Sequence, residues 1–276
     1  MKTVFAVFGD PIEHSMSPKM HNAAFKAMGM DCEYHAFRVS RESLRDALIG
    51  AKAMGFGGVN LTVPLKVEAL HIVDADPLAA RIGAVNTVDL KDGMRGYNTD
   101  GIGAKRALAD AGVDVAGARV LIVGAGGAAR AIGFQFANDG ADITIANRTE
   151  KRAYDLARDV SSVGIAQGTG LADLKSLIAK TDILVNTTTV GMHPNIDQTI
   201  ATADDMHSEL TVFDIVYNPL ETRLLREARA AGAVAVNGVM MLVHQGAEAF
   251  RIWNNVEPPV DVMKNAVLEA LGAQKL

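Results

Sequence analysis

The stretch A-R-V-L-I-V-G-A-G-G-A-A-R-A-I, from Ala118 to Ile132, sets the expected architecture of this chain. Its apolar part, Val120 to Val123, is short, largely β-branched and followed by glycine, which is typical of a buried strand. The glycines after it predict a tight turn, and the alanine-rich run after them predicts a helix. A strand, a glycine turn and a helix in this order are typical of a dinucleotide-binding unit.

A G-x-G-x-x-A pattern is filled in this turn by Gly124, Gly126 and Ala129. Gly124 would permit the tight turn, Gly126 would let the backbone approach a pyrophosphate, and Ala129 would let the helix lie close to the strand. The first N–H groups of the helix and its positive dipole end would face that pyrophosphate. The alternative is a glycine turn without a ligand, but the strand and helix around the turn favour dinucleotide binding.

The second apolar run, Asp142 to Ala146, is followed by N-R-T-E-K-R and indicates which dinucleotide binds. An NAD-binding unit usually carries an acidic residue here, which holds the ribose 2′-hydroxyl. This chain has Asn147 and Arg148, with Arg152 one turn later. Arginine binds a 2′-phosphate through charge-assisted hydrogen bonds, whereas a carboxylate would repel it. We therefore predict NADP rather than NAD; the alternative is that both arginines are ordinary solvated residues at a helix start.

Composition limits the classes of protein to which the chain can belong. With 276 residues, 49% of them hydrophobic, it should form one large or two modest domains. The net charge of -5 argues against a nucleic-acid surface. A single cysteine, Cys32, excludes an intramolecular disulfide and fits a reducing compartment. The N-terminal apolar segment is too short for a signal peptide, and no run reaches membrane-spanning length, so we expect a cytoplasmic protein.

The N-terminal region places two serines after a predicted strand, Thr3 to Phe8. Within G-D-P-I-E-H-S-M-S-P-K-M-H-N, residues 9–22, Ser17 precedes Pro18 and is predicted to cap a helix. Ser15 and Ser17 could hold a carboxylate beside that helix start, or they could serve only the cap and the turn. The histidines of this segment lack the spacing of metal ligands, so we expect no metal site.

Lysine, asparagine and aspartate follow in segments with weaker signals. Val59 to Val63 predict a strand ended by Pro64, and Lys66 then falls at the start of the next predicted helix. Gly83 to Val88 predict a strand with Asn86 in its middle, where a buried amide needs partners.

Two further polar residues lie on predicted helices. Asp100 precedes a helix that runs to Ala111 and would serve as its N-cap on sequence alone. Gln245 lies on an amphipathic helix, Gly238 to Trp253, one turn from apolar residues; it is either aimed at that apolar face or exposed.

Strands and helices alternate between residues 103 and 237, which predicts an α/β fold with a doubly wound parallel sheet. We therefore predict an NADP-binding Rossmann-type domain over 103–237. Residues 1–102 and 238–276 would form an α/β substrate-binding and catalytic domain, with the C-terminal helices packing back on the N-terminal part.

In these segments the chain resembles the shikimate dehydrogenase family along nearly its whole length. The matching segments, in order, are G-x-P-I-x-H-S-x-S-P-x-x-H-N (9–22), G-x-N-x-T-x-P-x-K (58–66), G-A-V-N-T (83–87), G-x-N-T-D (96–100), G-A-G-G-A-A-R-A (124–131) and N-R-T-x-x-R (147–152). Two departures are Leu61, where the family often has valine, and a less regular loop after Met192.

The resemblance implies reversible, NADP-linked oxidation of a shikimate ring hydroxyl to 3-dehydroshikimate. It assigns the substrate carboxylate to Ser15, Ser17 and Tyr217, and the ring hydroxyls to Asn60, Thr62, Asn86, Asp100 and Gln245. Lys66 would transfer the hydroxyl proton, and Asp100 would orient it. The implied cofactor-binding residues are Gly124, Ala125, Gly126, Gly127, Ala128, Asn147, Arg148, Thr149, Arg152, Thr188, Ile215, Gly238 and Met241.

Three alternatives stay open at this point. A quinate/shikimate dehydrogenase of the same architecture would more often use NAD, against which Asn147 and Arg148 argue. A paralogue could act on a related cyclic hydroxy acid with the same pocket residues. An NADP-binding sensor without turnover would belong to a different class and would not need Lys66 and Asp100 together. The partner expected in each enzyme reading is a small-molecule substrate, and a homodimer is compatible with the sequence.

Overall fold

The computed structural model describes residues 2–272 and divides the chain into two compact units. The first unit combines the chain up to Asp100 with the chain from Val243 onward, and the second unit is Gly101–Leu242. The divisions fall inside two helices, near the boundaries expected at 102/103 and 237/238. Among residues 2–272, no helix combines the length and the apolar character needed to cross a bilayer.

Helices occur in both units and were largely expected from hydrophobic periodicity. In chain order they are α1 (Ser17–Ala27), α2 (Leu44–Ala53), α3 (Pro77–Ile82), α4 (Asp100–Asp110), α5 (Gly127–Asn138), α6 (Glu150–Val160), α7 (Leu174–Ile178), α8 (Arg223–Ala230), α9 (Val239–Asn254) and α10 (Val260–Ala270).

The strands form one sheet in each unit. They are β1 (Thr3–Gly9), β2 (Cys32–Arg38), β3 (Gly58–Leu61), β4 (Asp74–Ala75), β5 (Thr87–Asp89), β6 (Arg95–Tyr97), β7 (Arg119–Val123), β8 (Asp142–Ala146), β9 (Ala166–Thr169), β10 (Ile183–Asn186), β11 (Thr211–Asp214) and β12 (Val234–Val236).

The sheet of the first unit has the order β2-β1-β3-β5-β6-β4 and is mixed. β1 pairs in parallel with β2 and β3, whereas β5 is antiparallel to β3 and β6. On this sheet an aromatic core forms between the N-terminal strands and the C-terminal helices. The ring centroids of Phe5 and Trp253 are 5.0 Å apart, and those of Phe25 and Phe250 are 5.1 Å apart. Because such rings bury large apolar areas, they hold α9 to this unit, and α10 packs against α1, as predicted.

The sheet of the second unit is entirely parallel, with the order β12-β11-β10-β7-β8-β9. The first strand in sequence, β7, is central, and the strand order reverses between β7 and β10. This is the doubly wound dinucleotide-binding order, in which ligands bind beyond the carboxyl ends of the strands at the reversal. The predicted fold class is therefore confirmed.

Local predictions were wrong at three helix starts. Asp100 is the first residue of α4 rather than its N-cap. Ser17 is the first residue of α1 rather than its cap; the N-cap is Met16, whose side chain makes no capping hydrogen bond. The expected helix at Lys66 is a turn that precedes a short 3-10 helix, Glu68–His71. It forms because the Leu65 N–H donates to the Thr62 carbonyl and closes a turn directly after β3.

The strand predicted over 83–88 was also wrong, because β5 begins only at Thr87. The Val85 N–H donates to the Lys66 carbonyl instead of joining the β3–β5 ladder. Asn86 therefore precedes the strand, and its side chain lies beside the loop that leads into α4. Three short elements, β4, α3 and β9, carry too little periodicity and were not predicted.

Candidate active site

The candidate catalytic pair, Lys66 and Asp100, is in direct contact. Lys66 Nζ donates to Asp100 Oδ2 at 2.5 Å, and the two side chains are 22% and 8% exposed. Lys66 enters from the turn after β3, and Asp100 is the first residue of α4. An ammonium group has three N–H donors, so the pair leaves hydrogen-bonding capacity for a bound molecule.

Asn86 fixes the other side of the Asp100 carboxylate. Its Nδ2 donates to Asp100 Oδ1 at 2.8 Å, while its Oδ1 accepts from the Thr99 N–H at 2.8 Å. Only 2% of Asn86 is exposed, so the partners that its burial demanded are protein groups. This arrangement directs Asp100 Oδ2 toward Lys66.

Asn60 extends the same network across the sheet. Its Nδ2 donates to the Asn86 carbonyl at 3.1 Å and to Thr87 Oγ1 at 3.0 Å. Its Oδ1 accepts from the Tyr34 hydroxyl at 2.7 Å. We refer to Lys66, Asp100, Asn86 and Asn60 as the lysine–amide cluster. Its members come from three separate segments of the chain.

Tyr34 is a residue that the sequence interpretation missed. It is fully buried in β2, where the side chains after it in the strand face solvent. Burial raises the pKa of the Tyr34 hydroxyl well above its ordinary value, and an interaction with the Ser17 side chain opposes that shift. Tyr34 therefore contacts two predicted substrate residues, Ser17 and Asn60. A tyrosine within an edge strand, third of its seven residues, was the available signal, since a buried hydroxyl needs a partner.

The other predicted substrate residues are placed as follows. Ser15 Oγ accepts from the Ser17 N–H at 3.3 Å at the start of α1. Thr62 follows β3 and lies against Gly9, where any Cβ would collide with its methyl group. Gln245 is half-buried on α9 in the first unit, and Tyr217 is half-buried in the second unit. Burial raises the pKa of the Tyr217 hydroxyl.

The glycine turn after β7 has the features that a dinucleotide requires. Gly124 has φ +118°, and a Cβ there would collide with Thr187 Oγ1, so only glycine fits. Gly126 is the N-cap of α5, and no side chain caps the helix there. A Cβ at Gly126 or Gly127 would meet no atom within 4 Å, so the helix start faces open space. Ala129 is fully buried, as close packing of strand and helix demands.

The two arginines after β8 are exposed to solvent. In the described part of the chain, neither the Arg148 nor the Arg152 side chain has a hydrogen-bond or ion-pair partner. The Asn147 amide donates to the Thr149 carbonyl at 3.0 Å and shapes the turn that carries them. By contrast, Arg130 in the glycine motif is paired with Asp159 at 2.9 Å. Two free guanidinium groups beside an open helix start are suited to a phosphate.

The remaining predicted cofactor residues lie beyond the next strands of this sheet. Thr188 follows β10, Ile215 follows β11, and Met241 lies on α9. Gly238 packs against the Ile215 backbone so closely that any Cβ would collide with its carbonyl oxygen. Among residues 2–272, no group of three His, Cys, Asp or Glu side chains could hold a metal ion.

A parallel sheet in this order, with a glycine turn after its central strand, defines the dinucleotide-binding class of folds. Family models agree with the site. Residues 7–88 match the shikimate dehydrogenase substrate binding domain, 105–221 match shikimate / quinate 5-dehydrogenase, and 238–268 match the shikimate 5'-dehydrogenase C-terminal domain. The chain belongs to the shikimate dehydrogenase family.

Individual relatives give the same result. The shikimate dehydrogenase (NADP(+)) of Methanosarcina mazei is 64% identical over 99% of this chain and 100% of its own length. A Thermus thermophilus shikimate 5-dehydrogenase solved with NADP(H) and shikimate has a TM-score of 0.90 and 38% identity, covering 98% of this chain and 100% of that one. The Corynebacterium glutamicum quinate dehydrogenase with NAD has a TM-score of 0.91 but 31% identity, covering 97% and 99%.

Proposed function

We propose that this protein is an NADP-dependent oxidoreductase that interconverts shikimate and 3-dehydroshikimate, a step of aromatic amino-acid biosynthesis. The observation that carries the proposal is the Lys66–Asp100 contact of 2.5 Å. Asn86 fixes the Asp100 carboxylate by donating a hydrogen bond to its other oxygen. The named activity of relatives at 64% identity over nearly the full chain supports it.

Lys66 moves the proton in this mechanism. When a ring hydroxyl is oxidised, its carbon loses a hydride and its oxygen loses a proton. The neutral amine form of Lys66 takes that proton on Nζ and becomes an ammonium. In the reverse direction the ammonium returns it and stabilises the negative charge that develops on oxygen. Asp100 holds Nζ in place through Oδ2 and accepts from the same hydroxyl. Bound NADP supplies the hydride acceptor.

The other predicted substrate residues are polar side chains that hold the carboxylate and the ring hydroxyls. Ser15 and Ser17, at the start of α1, bind the carboxylate, and Tyr217 contributes a hydroxyl to it. Asn60, Thr62 and Gln245 bind ring hydroxyls. Both hydrogens of Asn86 Nδ2 have protein acceptors, and Oδ1 accepts from the N–H and the hydroxyl of Thr99, so this amide has no capacity left for a ligand. Asn86 therefore serves the substrate through Asp100, whereas Asn60 Oδ1, which among residues 2–272 accepts only from Tyr34, can accept one more hydrogen bond.

The residues of the second unit fit NADP. The space above Gly126 and Gly127 admits a pyrophosphate against the N–H groups of α5, including those near Ala125 and Ala128. Arg148 and Arg152, on the turn formed by Asn147 and Thr149, bind the 2′-phosphate. The rest of the cofactor is held by Thr188, Ile215, Gly238 and Met241.

The direct test is the absorbance of NADPH formed by the purified protein, with shikimate or quinate and with NADP or NAD. We expect rapid reduction of NADP by shikimate and much slower reaction in the other three combinations. Comparable rates with quinate or with NAD would assign the broader quinate/shikimate activity instead. Binding of NADPH without turnover of either acid would indicate the sensor.

The proposal includes two properties of the protein in the cell. We infer a cytoplasmic enzyme, because the lone Cys32 suits a reducing compartment. Fractionation of the source cells checks this. A homodimer also remains a prediction, and the sedimentation velocity of the purified protein, which distinguishes one copy from two, checks it.

A further inference from the structure

A buried carboxylate, Asp214, lies at the end of β11 and has no role in the assignments above. Asp214 has no exposed surface, and it accepts three hydrogen bonds. The donors are Thr222 Oγ1 at 2.6 Å, Asn186 Nδ2 at 3.0 Å and the Val216 N–H at 3.1 Å. Burial raises the pKa of Asp214, and these donors oppose the shift. Burying a carboxyl group costs free energy of desolvation, so we expect Asp214 to have a structural or functional role.

Asn186, at the end of the neighbouring strand β10, is equally buried. While its Nδ2 donates to Asp214, its Oδ1 accepts from Thr188 Oγ1 at 2.7 Å and from the Thr188 N–H at 3.1 Å. Thr188 Oγ1 in turn accepts from the Val190 N–H at 3.1 Å. The conformation of the loop after β10 is therefore specified by one amide side chain.

Asp214 specifies the loop after β11 in the same manner. It binds Val216 near the start of that loop and Thr222 at its end, where Thr222 caps α8 by accepting from the Leu225 N–H at 3.3 Å. Tyr217 lies between these two points. The contact between Asn186 and Asp214 thus joins two loops that are far apart in sequence.

We propose that Asn186 and Asp214 are positioning residues that act as one brace, holding the loop of Thr188 and the loop of Tyr217 in the geometry that ligand binding needs. The inference rests on the proposed function, which places Thr188 at the cofactor and Tyr217 at the substrate carboxylate. Neither brace residue reaches a ligand itself, because both side chains are fully buried. Their effect passes through the loops.

The test compares Asn186→Asp with the exchanged pair Asn186→Asp/Asp214→Asn. The single change sets two carboxyl oxygens at the position of a 3.0 Å hydrogen bond, so one must be protonated or both must move apart. The double change restores a donor facing an acceptor, although the Val216 N–H loses its acceptor and the Val190 carbonyl loses the Asn186 Nδ2 donor at 3.3 Å. NADPH affinity, measured by fluorescence titration of the full chain, and the melting temperature are recorded for each.

We expect the Kd for NADPH to rise at least about tenfold in the single variant and to return to within about fivefold of wild type in the exchanged pair. Thr181→Val is the matched control. It removes a buried hydroxyl that donates to the Leu177 carbonyl at 2.8 Å, ahead of β10 and so at the other end of that strand. It should lower the melting temperature without changing the Kd for NADPH.

A folded Asn186→Asp protein that binds NADPH like wild type would overturn the brace, as would an exchanged pair no better than the single variant. If Asn186→Asp does not fold, Asn186→Ala breaks both contacts without adding charge, and an unchanged Kd for NADPH would be equally decisive. Failure of the proposed function is distinguishable, because it appears as a wild-type protein that binds NADPH but does not oxidise shikimate.

Discussion

In the first unit, Asn60, Asn86 and Asp100 are at most 6% exposed and hydrogen-bond to one another or to their neighbours. In the second unit, Arg148 and Arg152 are exposed, and within residues 2–272 their side chains have no partner. The amides and the carboxylate of the first site are thus organised during folding, whereas the two arginines present charge that stays hydrated until a ligand arrives.

The difference separates two kinds of recognition. A proton must be moved between atoms at fixed positions, so the groups that move it need rotamers locked by surrounding hydrogen bonds. A phosphate is bound by charge and by several donors, which tolerates flexible arginines on a surface. Substitutions in the lysine–amide cluster should therefore change turnover, whereas substitutions at the arginines should change cofactor affinity and leave the fold intact.

Removal of the proton-transfer group should have the strongest consequence. We expect Lys66→Ala to lower kcat for shikimate by about 10²- to 10⁴-fold, the usual contribution of a positioned acid or base. Steady-state rates at saturating shikimate measure it. Lys2→Ala, which removes an exposed lysine paired with Glu33, is the matched control and should leave kcat unchanged. Near wild-type turnover by Lys66→Ala would refute the assigned role.

Loss of a free arginine should act on the cofactor alone. Arg148→Gln should raise the Kd for NADPH about 10- to 100-fold, since hydrogen bonds between charged groups contribute roughly 1.5–3 kcal/mol. The Kd for NADH and the melting temperature should not change. Lys151→Gln, three residues further along at the start of α6 but paired with Asp155, serves as the control. An equal loss of affinity for both cofactors would mean that Arg148 does not contact the 2′-phosphate.

One buried polar side chain of the first unit lacks the bonding seen in the cluster. Both ring nitrogens of His21 are buried without a partner among the described residues, and desolvation lowers its pKa to about 3. Its ring stacks on Tyr34 with centroids 4.4 Å apart. The folded state therefore resists protonation of His21, while the unfolded chain takes up a proton below its ordinary pKa of about 6.5.

The unfolded state then binds more protons than the folded state, so stability falls as the pH drops below about 6.5. Relative to His21→Phe, the wild type should lose about 2 kcal/mol of unfolding free energy between pH 7 and pH 5. Urea unfolding at both pH values measures this. His35→Gln changes an exposed histidine and should show no such difference. Parallel pH dependence of wild type and His21→Phe would contradict the depressed pKa.

The hydroxyl of Tyr34 should have a smaller influence. Tyr34→Phe leaves Asn60 Oδ1 without its donor, so we expect the KM for shikimate to rise about two- to tenfold, in line with the loss of one neutral hydrogen bond. The Kd for NADPH should be unaffected. Tyr154→Phe, at an exposed position, provides the comparison. An unchanged KM for shikimate would show that Asn60 is held adequately by its other bonds.

The parts predicted from sequence were those encoded by neighbouring residues. The turn of Gly124 and Gly126 follows from glycines placed directly after a predicted strand. The free Arg148 follows from the absence of an acidic residue after the next predicted strand. The contact between Lys66 and Asp100 joins residues 34 positions apart, and no local pattern reports such a contact. It entered the prediction only through resemblance to a family.

The same limit explains the errors. Asn86 was assigned to the middle of a strand because of the residue pattern from Gly83 to Val88. That pattern carries no information about the hydrogen bond from the Val85 N–H to the Lys66 carbonyl, which delays the start of the strand. Tyr34, Asn186 and Asp214 were missed because each acts through partners on other strands. Side chains that position others leave a weaker trace in sequence than those that define a turn or a charge.

The most direct test of this division of roles measures kcat/KM of three proteins with shikimate and either NADP or NAD. The proteins are wild type, Lys66→Ala and the Arg148→Gln/Arg152→Gln pair. We predict that Lys66→Ala loses activity by the same factor with both cofactors, whereas the arginine variant loses it only with NADP. An arginine variant impaired equally with NAD, or a Lys66→Ala enzyme impaired only with NADP, would contradict it.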